Sequence, residues 1–148
     1  MSEPSSGVFR GADHYLPVRI YYEDTDFTGV VYHAGYARFF ERGRSDYLRL
    51  TGIDHRTLIT LDTAFVVTRL VIDFKKPARI DEALSVVTRY EEVKGPRMLI
   101  RQRLERDGEL LADGEVHAAC IRLDGQPRRP PPELIAALKA RMTAPDSG

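Results

Sequence analysis

The chain has 148 residues, 43% of them hydrophobic, with 22 basic and 22 acidic residues and a single cysteine. That length suits one domain with its own core and leaves no room for a second. A formal net charge of zero argues against general attraction to nucleic acid or an anionic membrane, so an anionic ligand has to be held by a local patch. Cys120 has no partner for a disulfide, agrees with a reducing compartment, and reads as a buried strand residue.

Residues 1–14 are rich in Ser, Gly and Pro and lack the basic and apolar regions of a secretory signal, so they read as a flexible tail. No apolar run approaches the roughly 18 residues of a membrane helix. The expectation is a cytoplasmic protein with no membrane span. Residues 16–22 (LPVRIYY) are β-branched and aromatic and predict a first strand, followed by a loop over 23–31 (EDTDFTGVV). From about Ala34 the period changes to helical: Tyr36, Phe39, Phe40, Gly43, Tyr47 and Leu50 share one face, and Gly52 closes the helix. Gly43 on that apolar face implies close approach of another backbone or a tolerated defect.

Four extended segments follow, 65–74, 84–93, 97–106 and 109–123, separated by reversals at Lys94-Gly95-Pro96 and at Asp107-Gly108, a type I′ hairpin dipeptide. Residues 127–132 (PRRPPP) form a stiff link to a short helix over about 133–141, and 142–148 read as a second flexible tail. One long helix followed by antiparallel strands predicts an α+β fold, a curved sheet around a central helix, in a single domain over 15–141. Exposed sheet edges predict a homodimer or homotetramer.

Asp24-Thr25-Asp26-Phe27-Thr28-Gly29 opens like a calcium loop, but Gly35 stands where the bidentate Glu belongs and a strand stands where a helix belongs. A transition-metal set of Asp24, Asp26, His33 and Glu41 has no supporting spacing, and no metal is expected. Loop aspartates usually satisfy turn N–H groups, and composition alone favours that use here. The helix start weighs the other way. Val31, Tyr32, His33 and Ala34 offer no ordinary N-cap, so the first N–H groups can stabilise a carbonyl oxygen that gains negative charge. Asp26 just upstream then supplies a carboxylate for acyl transfer from a good leaving group.

At these residues, 18–50, the chain resembles the 4-hydroxybenzoyl-CoA thioesterase family, in particular its Tol-Pal-associated branch. The similarity continues through 65–84 (FVVTRLVIDFKKPARIDEAL), 110–121 (LLADGEVHAACI) and the proline-rich link. The resemblance implies a hot-dog fold, a coenzyme A thioester substrate, no separate cofactor, and a dimer or dimer of dimers. It also implies that Asp26 is the catalytic carboxylate and that the His33 N–H polarises the thioester carbonyl. The His33 side chain would orient the carboxylate, assist proton transfer, or serve only the helix start. Gly43 and Asp46 depart from the branch's usual Ala and Glu. Lys75, Lys76 and Arg79 beside Pro77 are candidates to hold the phosphates of coenzyme A. Competing functions are an acyl-binding scaffold that partners an acyl carrier protein or Tol-Pal-linked proteins, and a hydroxyacyl-thioester dehydratase. Acyl chain length and the choice of nucleophile or general base for Asp26 stay open.

Overall fold

The computed structural model describes residues 3–146. Its elements run β1 (Val8–Arg10), β2 (Asp13–Arg19), a 3-10 turn (Tyr22–Asp24), α1 (His33–Leu50), α2 (His55–Thr60), β3 (Ala64–Phe74), β4 (Ala83–Lys94), β5 (Arg97–Arg106), β6 (Glu109–Ile121) and α3 (Pro132–Met142). All six strands form one antiparallel sheet in the order β1-β2-β4-β5-β6-β3, and α1 packs across it. This is the expected α+β hot-dog architecture. The two tight reversals lie where the turn dipeptides put them: Lys94 pairs with Arg97, and Arg106 pairs with Glu109. Asp107 and Gly108 both have positive φ, 51° and 80°, as a type I′ turn requires.

Two clusters make the core, one under each half of α1. Tyr36, Phe39 and Phe40 pack on Leu16, Ile20, Val86, Leu104 and Leu111, while Tyr47 and Leu48 pack on Leu58, Tyr90, Ile100, Val116, Leu134 and Leu138. Between the clusters, buried Gln102 donates to the Phe40 carbonyl and to Thr88 Oγ1, both at 2.8 Å, and accepts from Arg44 Nη1 at 2.9 Å. Gly43 faces this junction. A β-carbon there would fall 2.7 Å from both Thr88 Oγ1 and Val86 Cγ1. The close approach is therefore made by strand side chains, not by another backbone, and the glycine lets α1 sit low on β4.

The N-terminal region departs from the tail expected over 1–14. Val8–Arg10 forms an edge strand on β2, Ala12 and His14 are buried, and β2 spans Asp13–Arg19 in place of 16–22. Gly11, with φ of 59°, turns the hairpin, and Phe9 packs edge-on to Tyr47 with ring centroids 4.9 Å apart. Asp46, the shorter carboxylate noted above, accepts the Gly7 N–H and holds His14, each at 2.8 Å. At the other end α3 runs on through Met142, which packs against the second cluster. Met1, Ser2, Ser147 and Gly148 of the two expected tails lie outside the described residues. The short α2 was not expected; its signal was Asp54, whose side chain caps the Thr57 N–H at 2.9 Å.

Candidate active site

The loop between the 3-10 turn and α1 folds back on itself and is tied to the helix start. Thr25 pairs with Val31, Asp26 N–H donates to the Val30 carbonyl at 2.9 Å, and Tyr32 N–H donates to the Asp24 carbonyl at 3.3 Å. A second segment clamps the loop from outside. Val31 N–H donates to the Ala78 carbonyl at 2.8 Å, Ile80 N–H donates to the Gly29 carbonyl at 2.9 Å, and Val30 pairs with Arg79. Tyr36, one turn into α1, holds that segment: its hydroxyl accepts the Ala78 N–H at 3.3 Å and its ring stands edge-on to Phe74.

Both aspartates serve the turn. Asp24 Oδ2 accepts the Tyr21 N–H at 2.8 Å. Asp26 Oδ1 accepts the Thr28 N–H at 2.8 Å and the Thr28 hydroxyl, and these bonds hold the carboxyl below its ordinary pKa. Asp26 Oδ2 makes no hydrogen bond among the described residues, so one oxygen anchors the loop and the other is free. The side chain is exposed and ionised at neutral pH.

α1 begins as its sequence suggests. Tyr32 at the N-cap makes no side-chain cap, and no acidic residue lies in the first turn. Gly35 N–H is used by the Tyr32 carbonyl at 2.8 Å. The N–H groups of His33 and Ala34 are left as open donors among the described residues, at the positive end of an 18-residue helix.

Beside this turn runs a groove of about 310 Å³ lined by Val30, Val31, His33, Tyr36, Phe74, Lys75, Lys76 and Pro77. The structure thus brings His33, Lys75 and Lys76 together. Arg79 does not line the groove: Ala78 points inward and is fully buried, which turns the next side chain out, while the Arg79 N–H is capped by Glu82. Lys76 Nζ is 2.7 Å from Glu109 Oε2, whereas Lys75 enters no ion pair among the described residues. Asp24, Asp26, His33 and Glu41 do not converge, and no three His, Cys, Asp or Glu side chains cluster as metal ligands among the described residues.

A six-stranded antiparallel sheet packed on one long helix is the hot-dog architecture, the fold of a class of thioesterases. The chain belongs to the thioesterase-like superfamily, which matches residues 21–138, and within it groups with the acyl-CoA thioesterases called YbgC. It is 48% identical over 109 residues to acyl-CoA thioesterase YbgC of Haemophilus influenzae, covering 73% of this chain and 80% of that one. It is 38% identical over 125 residues to acyl-CoA thioester hydrolase YbgC of Escherichia coli, covering 83% and 93%. Among solved structures, a probable thioesterase from Bartonella henselae superposes with a TM-score of 0.79 at 41% identity, covering 81% of this chain and all of that one.

Proposed function

We propose that this chain hydrolyses a coenzyme A thioester to the free acid and coenzyme A, with Asp26 as the working carboxylate. The observation that carries the reading is the pairing of a half-free carboxylate with an uncapped helix start in one hydrogen-bonded unit. The thioester carbonyl oxygen accepts from the open N–H groups of His33 and Ala34, where the helix dipole favours the charge that develops on it. Asp26 Oδ2 either attacks the carbonyl carbon and expels the thiolate, leaving a mixed anhydride that water then hydrolyses, or takes a proton from a water that attacks the carbon and expels the thiolate; on both routes the acyl group ends as the carboxylic acid. The low pKa of Asp26 keeps it in the charged form that either step uses.

Lys75 and Lys76 make the mouth of the groove basic, which suits the phosphates of the leaving group. The enzyme works as a homodimer or homotetramer, because β3 is an edge strand whose Val66, Val67, Leu70 and Phe74 are left 40–52% exposed. No helix among the described residues is long and apolar enough to cross a membrane, and the lone thiol of Cys120 fits a cytoplasmic setting.

Thiol release measured over a panel of acyl-CoAs tests the activity, with expected turnover of at least one chain-length class. Loss of water from a hydroxyacyl-CoA without thiol release would favour a dehydratase instead. Tight acyl-CoA binding with no product at all would favour a scaffold.

A further inference from the structure

On the outer face of the sheet, away from α1, lies a second cleft of about 310 Å³ lined by Thr68, Arg69, Arg97, Met98, His117, Ala118 and Ala119. We propose that Arg69, Arg97 and His117 form a phosphate-binding site there, taking the phosphate or pyrophosphate group of a nucleotide-bearing ligand. Three adjacent strands build it. Arg69 on β3 pairs with His117 on β6, and Arg97 on β5 pairs with Ala119 on β6. Side chains at these positions rise from the same face two strand spacings apart and offset by two residues along the strands, about 12 Å, a gap that two long arginines can close around one anion.

The local backbone is adapted at this point. The β3–β6 register shifts between Val67 and Arg69, leaving Thr68 unpaired, and its hydroxyl donates to the His117 carbonyl at 3.2 Å. A bulge of this kind re-aims the neighbouring side chain at the price of a ladder bond, and such bulges gather beside binding sites.

The charges are also unspent. Arg101 answers the carboxylates of this face, lying 3.2 Å from Glu91 and 3.6 Å from Glu115. Arg69 and Arg97 enter no ion pair among the described residues. His117 Nε2 is buried without a hydrogen-bond partner, although Glu115 Oε1 lies 3.5 Å away. Two free guanidinium forks and an unsatisfied ring nitrogen outweigh one carboxylate that Arg101 already offsets. A carboxylate ligand fills one fork, whereas the several oxygens of a phosphate or pyrophosphate can occupy both.

The ligand has two possible sources, the phosphates of the coenzyme A substrate or a free phosphate compound, and only the first rests on the hydrolase reading.

The test is the double variant Arg69→Gln/Arg97→Gln, at exposed positions that leave the core intact, with cooperative unfolding as the folding control. Calorimetric titration with free coenzyme A and with inorganic pyrophosphate should show binding to the wild type, weakened at least about tenfold in the variant, the scale of lost charge-assisted hydrogen bonds. If coenzyme A is the source, KM for acyl-CoA rises about tenfold with kcat unchanged, while the acyl-pantetheine thioester, which lacks the phosphates, is turned over as before. Loss of pyrophosphate binding with an unchanged KM assigns the site to a separate phosphate ligand. Equal binding of both probes by variant and wild type, or no binding by either protein, overturns the proposal. A wild type that binds pyrophosphate through these arginines but hydrolyses no thioester overturns the hydrolase reading alone.

Discussion

His14 Nε2 lies 2.8 Å from Asp46 Oδ2, and the same oxygen accepts the Gly7 N–H, so one carboxylate on α1 clasps the N-terminal hairpin to the helix. Burial disfavours the imidazolium more than Asp46 favours it, and the folded pKa of His14 falls below the ordinary 6.5. With a lowered folded pKa the unfolded chain binds the proton first. The stabilisation is therefore fully present above about 6.5 and is lost as pH falls through the unfolded value toward the lowered folded one. Thermal midpoints recorded from about pH 7 to about pH 5 should decline, and His14→Gln should flatten that part of the profile. An equal decline in the variant would assign the acid sensitivity to other groups.

The edge strand carries the second prediction. β3 pairs with β6 alone and exposes Val67 and Leu70 at 47% and 40%. Burying such a strip against a second copy removes apolar surface and satisfies the open backbone edge. Light scattering should give a dimer or larger species, and Val67→Lys with Leu70→Lys should shift it to monomer. A wild-type monomer with full activity would end the argument.

The third prediction separates the lysines. Lys75 lines the groove without an ion pair, so Lys75→Gln should raise KM for acyl-CoA severalfold and leave kcat near its original value, since phosphate contacts act on bound substrate and transition state alike. Lys76→Gln should do less, because Lys76 is already committed to Glu109. A fall in kcat with unchanged KM for Lys75→Gln would place that side chain nearer the reacting bond than the mouth.

These residues also show what a linear reading can reach. The α1 face was legible from its period, its open start from the missing cap at Tyr32, and the β5–β6 turn from Asp107-Gly108. The N-terminal hairpin was not, because its polar, glycine-rich composition resembles a tail and its anchor, Asp46, is far away along the chain. The Arg69, Arg97 and His117 cleft had no spacing to reveal it, since three strands bring its members together. Arg79 looked equivalent to Lys75 and Lys76 in sequence. Only the bridge to Val30 and the inward Ala78 turn it away from the groove.

The last prediction tests the mechanism at Asp26. Its Oδ1 serves the Thr28 turn and its Oδ2 is free, so Asp26→Asn can keep the turn, through an amide oxygen on the Thr28 N–H, while removing the charge. The side chain is exposed and contributes nothing to the core, so thermal stability and assembly should stay near those of the wild type. If the carboxylate attacks or activates water, kcat falls at least about a hundredfold, the usual scale for a lost catalytic base. Asp24→Asn is the internal control. Its carboxylate caps the Tyr21 N–H, and an amide oxygen can do the same, so its effect on kcat should be small. Single-turnover hydrolysis in heavy-oxygen water then divides the two chemistries: attack by Asp26 forms an anhydride whose hydrolysis at the aspartyl carbon labels the enzyme, whereas water activated by Asp26 labels only the product acid. Normal turnover by Asp26→Asn would move the reaction away from this loop, leaving the helix start as a binding feature only.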